Sequence, residues 1–119
     1  MNRENLTALL LESPVRIREA ESELIRLANI QKMERDQIAK IEAGFKTEIG
    51  MNKNLKNEAE RKATLELSLK DHKEYQELQL HLPEIELAVA KAQTELGFHR
   101  NTFQAYLAIA GMLADAEAK

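Results

Sequence analysis

Few side chains in this 119-residue sequence are of types that do chemistry, and their spacing decides what they can do. The three histidines, His72, His81 and His99, are separated by nine and eighteen residues. A helical metal pair needs a spacing of three or four so that both imidazoles share a face, and no His-Glu-x-x-His run occurs. Glu95 precedes His99 by four residues, but a di-iron bundle needs a Glu-x-x-His motif on each of two helices. Ser13, Ser22 and Ser68 lie outside any Gly-x-Ser-x-Gly turn, and without cysteine there is no thiolate nucleophile, thiolate metal site or disulfide. The four glycines are scattered, so no loop is built to cradle a phosphate. No catalytic residue, metal site or cofactor is expected, and the chain reads as a non-enzyme.

Charge offers one further candidate. Lys46, Lys53, Lys56, Arg61 and Lys62 form a loose basic cluster that could contact phosphates. Glu48, Glu58 and Glu60 are interleaved with it, no aromatic lies within it for base stacking, and the net charge of the chain is −3. Any nucleic-acid binding there is expected to be weak and independent of sequence.

These residues must be positioned by helices. Leu, Ala, Glu and Lys dominate and β-branched residues are sparse, a composition that favours long helices over strands. The periodicity predicts an all-α chain, an elongated helical hairpin or bundle with long coiled-coil helices. One domain over residues 1–119 is expected, with helices at about 3–11, 14–49, 57–70 and 72–114. Ser13 is placed as an N-cap and Pro14 as the first residue of the second helix. In that helix Gln31 and Glu34 fall where apolar residues are due, while Ile30 and Met33 sit one position earlier, which suggests a local register shift. Gly50 is expected to stop the helix in a left-handed conformation. Asn57 with Glu60, and Asp71 with Glu74, look like capping boxes.

The last element carries the clearest pattern. Tyr75, Leu78, Leu82, Ile85, Val89, Ala92, Leu96, His99, Phe103, Tyr106, Ala110 and Leu113 alternate steps of three and four without interruption. The stripe crosses Pro83 unshifted, so a kink is expected there and not a stop. His99 is its one strongly polar member and is expected to be structural, fixing register. A stripe this long predicts a seam with another chain through Leu82, Ile85, Val89, Leu96, His99, Phe103, Tyr106 and Leu113, forming a homodimer or a higher oligomer. No apolar run approaches the roughly 20 residues that span a bilayer, and Leu9-Leu10-Leu11 is too short for a signal-peptide core. A cytoplasmic protein without membrane contact is expected.

Asn57-Glu58-Ala59-Glu60-Arg61-Lys62-Ala63, then Asp71 and Glu74-Tyr75-Gln76-Glu77-Leu78, then a heptad helix that includes Arg100 and Phe103, carry a resemblance. Residues 57–113 are similar to small, uncharacterised helical coiled-coil proteins of phages and bacterial mobile elements. The resemblance implies a mobile-element setting, in some cases beside recombination or replication genes. The expected function is that of a non-enzymatic interaction protein, an oligomeric accessory that binds itself and an unidentified protein. Two alternatives stand beside it: a nucleic-acid-binding accessory of recombination or replication, and an inhibitor of a host defence complex.

Overall fold

A computed structural model describes residues 2–118. They form three helices, α1 (Arg3–Met51), α2 (Glu58–Asp71) and α3 (Lys73–Ala118), and no strand occurs among the described residues. At about 1.5 Å per residue, the 49 residues of α1 extend roughly 74 Å and the 46 of α3 roughly 69 Å. No helix is long and apolar enough to cross a membrane. Contacts group the chain into two units, one of residues 1–27 with 88–119 and the other of residues 28–87.

Each unit contains an antiparallel pairing of α1 with α3, and the second also holds α2. In the first, Arg3 pairs with Glu117, and Arg100 donates to Glu21 at 2.9 Å, so numbers rise along α1 as they fall along α3. In the second, Arg35 donates to Glu86 at 3.2 Å and Tyr75 to Glu42 at 3.0 Å, in the same sense. Leu6, Ala92 and Leu96 are buried in the first unit, and Ile38, Ile49 and Ile85 in the second.

The break expected at Ser13-Pro14 is absent, and the helices expected at 3–11 and 14–49 are one. Ser13 is not an N-cap. It is buried in the stripe, and its hydroxyl donates to the carbonyl of Leu9, four residues back, at 2.7 Å. Pro14 removes one backbone donor and costs about 3 kcal/mol inside a helix. The stripe it lies beside, with Leu6 and Ser13 buried and Leu9, Leu10 and Ile17 half-buried, offsets that cost. Propensity is a weak prior, and here burial overrides it.

Gly50 is not left-handed either; no residue among those described has positive φ. The helix instead ends at Met51, where the N–H of Asn52 bonds to Ile49 O at 3.1 Å and Asn52 Oδ1 accepts from the N–H of Asn54 at 2.9 Å. A short polar side chain bonding two residues on is the turn chemistry asparagine favours. Asn57 caps α2 through its Oδ1 and the N–H of Glu60 at 2.8 Å, and the Glu60 carboxylate reaches back to the N–H of Lys56 at 3.2 Å. Asp71 is the last residue of α2 and not a cap; His72 takes that role, its Nδ1 accepting from the N–H of Tyr75 at 3.1 Å. Gln76 then donates to the exposed carbonyl of Leu69 at 3.0 Å, tying the start of α3 to the end of α2. α3 continues through Pro83 and runs beyond the expected end at 114 to Ala118.

Because Pro14 lies inside α1 and not at a helix start, Pro14→Ala should stabilise the protein, by up to about 3 kcal/mol. Thermal unfolding followed by circular dichroism at 222 nm reads this as a raised Tm. A neutral or lowered Tm would place Pro14 at a helix start after all.

Candidate interaction surfaces

The stripe of α3 faces its own chain. Within the first unit Val89, His99, Phe103, Tyr106 and Ala110 are half-buried beside buried Ala92 and Leu96. Within the second, Tyr75, Leu78 and Leu82 are half-buried beside Ile85. Only Leu113, at 36% exposure, stands clear. Within each unit the stripe thus packs in part against α1 of the same polypeptide, which carries a matching stripe. Apolar side chains remain on the outside. Leu11, Val15, Ile25, Leu80, Leu87 and Phe98 are among twelve large apolar residues exposed among those described.

α1 keeps one register throughout, so the expected shift near residue 31 does not occur. Gln31 and Glu34 stay on the inward face, half-buried, while Met33 is 63% exposed. Glu34 is the unusual member. Its side chain is only 14% exposed, its Oε1 lies 2.5 Å from His81 Nδ1, and its Oε2 is buried without a partner. A buried carboxylate needs donors to offset its lost hydration, and His81 supplies one. The sequence did carry a trace of this pair: a glutamate where an apolar residue was due, and a histidine one position before a stripe residue.

A second polar link lies in the same unit. The Tyr75 hydroxyl donates to Glu42 and accepts from Gln79 Nε2 at 3.0 Å. Burial, and then the bond to Glu42, push the phenol above its ordinary value of 10.0. The Phe45 ring meets His72 edge to face, with centroids 5.5 Å apart. In the first unit His99 is mostly buried, its Nε2 3.6 Å from Glu95, too long for a hydrogen bond, and its ring edge-on to Phe98.

The basic cluster resolves into two parts. Lys46, at the end of α1, and Arg61 and Lys62, in the first turns of α2, converge on one cleft of about 320 Å³. Ile49, Gly50, Glu58 and Leu65 complete its lining. Lys53 and Lys56 lie on the connection from 52 to 57, exposed and outside the cleft. Sequence reasoning identified the cations but not the apolar floor. The signal was present in Ile49, which continues the α1 stripe four residues after Phe45. Elsewhere Arg16 pairs with Glu12 and Arg26 with Glu23, both at 2.5 Å, the bond to each glutamate raising the arginine pKa, whereas Arg18 and the described lysines of the long helices form no ion pair. Among the described residues none of the five clustered cations forms an ion pair.

Comparison with protein-family models, with curated proteins and with solved structures finds no match to this chain.

Two outcomes follow from the polar links. His81→Ala should destabilise the fold by about 1–3 kcal/mol, because it leaves the Glu34 carboxylate inside without a donor. Glu34→Leu should be neutral or stabilising, because it removes the buried carboxylate while the His81 side chain, 49% exposed, keeps contact with water. Urea titration of both variants checks the pair, and equal losses would show that the carboxylate is not paying for its burial. Tyr75 sets a pH dependence of known sign. Its raised pKa means that the fold favours the neutral phenol, so the contribution is complete below pH 10 and is lost as pH rises through the folded value. Tyr75→Phe should flatten the fall in stability above pH 10, measured by chemical unfolding across that range.

Proposed function

We propose that this protein acts by binding and not by catalysis, as a self-associating helical accessory that engages another macromolecule. The observation that supports this most is surface. Among the described residues twelve large apolar side chains are exposed, and covering such side chains favours association. Leu80, Leu87 and Phe98 are among them. A setting in the cytoplasm of a cell carrying a phage or mobile element, suggested by the resemblance of residues 57–113, is part of the same proposal.

The unpaired cations around residues 46–62 support contact with an acidic partner, and nucleic acid is one such partner. Recombination or replication accessory work would then follow from phosphate contacts by Lys46, Lys53, Lys56, Arg61 and Lys62.

Light scattering at tens of micromolar should give twice the 13.6 kDa chain mass or more. Leu87→Glu with Phe98→Glu should shift the mass toward a single chain while the helical circular dichroism stays unchanged, since both side chains are exposed. A wild-type monomer across the concentration range would reject self-association.

A further inference from the structure

We infer that the cleft between the end of α1 and the start of α2 binds an acidic peptide segment that carries a large apolar side chain. The inference rests on the binding function proposed above and assigns its partner a chemistry and a place.

The cleft has two properties that must be answered together. Its rim holds Lys46, Arg61 and Lys62, and its floor is Ile49 and Leu65 with Gly50 in the wall. Three cations around one depression repel each other, and an anion seated among them relieves that repulsion. Glu58 lines the cleft as well, yet it forms no ion pair with any of the three. The apolar floor asks for something else. α2 buries none of its residues, and Leu65 is only half-buried, so apolar area there is still open to water. Covering that area favours binding in addition to what the charges supply.

Ligand classes separate on this pairing. Inorganic phosphate or a nucleic-acid backbone satisfies the rim and leaves the floor wet. Bases could cover apolar surface by stacking, but none of the lining residues is aromatic. A neutral apolar peptide covers the floor and leaves the cations unanswered. An acidic segment with one leucine or phenylalanine among its carboxylates matches both, with the apolar side chain as the anchor and charge steering the encounter. The volume, about 320 Å³, is at the small end of ligand sites and suits one anchoring side chain with its neighbours.

The test uses the full-length protein and fluorescence anisotropy with three labelled probes: an Asp-Asp-Glu-Leu-Phe peptide, an Asp-Asp-Glu-Ser-Ser peptide and a thymidine oligonucleotide. The apolar-ended peptide should bind at least about tenfold tighter than the serine-ended one. Lys62→Glu should weaken it at least tenfold. Gly50→Phe should do the same by filling the cleft while leaving every cation in place; a side-chain carbon at Gly50 meets nothing within 4 Å, so the helix accepts it. Circular dichroism and the mass by light scattering should be unchanged in both variants. Equal binding of the two peptides would overturn the inference, because the site would then read charge alone. So would unaltered binding by Gly50→Phe, or failure of the apolar-ended peptide and of a leucine-, isoleucine- and tryptophan-ended set to bind at millimolar concentration. Tighter binding of the oligonucleotide, lost in Lys62→Glu, would give the site to nucleic acid instead. In each of these cases a dimer that persists in light scattering leaves the broader binding function standing, whereas a monomer removes the self-association on which that function leans.

Discussion

Each unit of this protein depends on one act of burial, the closing of the α3 stripe against the α1 stripe in antiparallel order. Two helices packed side by side can cover only one face of each other, so burial is shallow. Among the described residues six apolar ones are buried, and no side chain is fully enclosed. Such a layer tolerates irregularities that a deep core would not. Ser13 sits in the stripe by turning its hydroxyl back on the helix, and Pro14 remains in α1 because the turns around it are held by apolar contact. What is costly for an isolated helix becomes affordable when the face is already committed.

Shallow apolar stripes have a weakness, since residues of similar size pair almost equally well after a slip of seven. Polar groups on the inward faces remove that freedom. Glu34, largely enclosed, meets His81 at 2.5 Å in the observed pairing, and a slip that separated the two would cost its carboxylate that partner. Tyr75 and Glu42 act in the same direction within the same unit. These links add little stability beyond that of an apolar pair, and their effect is to make alternative pairings worse. In the first unit the corresponding contacts, Arg100 with Glu21 and Arg3 with Glu117, lie on exposed edges where solvent screens them.

The same economy leaves surface open. α2 is short, capped at Asn57 and followed by His72, and its position follows from those turns and not from a buried face of its own. A helix placed in this way brings Arg61, Lys62 and Leu65 against Lys46 and Ile49 without closing over them. Basic and apolar groups thus share one cleft as a consequence of how the connection folds. On the long helices Arg16 and Arg26 meet glutamates three or four residues away, while Arg3, Arg35 and Arg100 meet glutamates of the facing helix.

By itself the sequence determined the helical class, the stripe of α3, the Asn57 cap and the gathering of cations near residues 46–62, because each is a matter of local spacing. Where local signals competed with distant contacts, tertiary structure decided. Ser13-Pro14 has the chemistry of a helix start, yet burial of Leu6 and Ser13 carries α1 through it. Gln31 and Glu34 suggested a shifted register because sequence alone cannot show that a carboxylate will meet a histidine 47 residues later. Asp71 and His72 are adjacent candidates for one cap, and only the path of the chain from α2 into α3 selects the histidine. Whether the α3 stripe meets its own chain or another could not be settled by periodicity, which is the same in both cases; the antiparallel return of α3 along α1 within each unit is what covers it in part. The cleft was half legible: charge can be counted along a chain, but an apolar floor made by Ile49 and Leu65 exists only once two helices are set side by side.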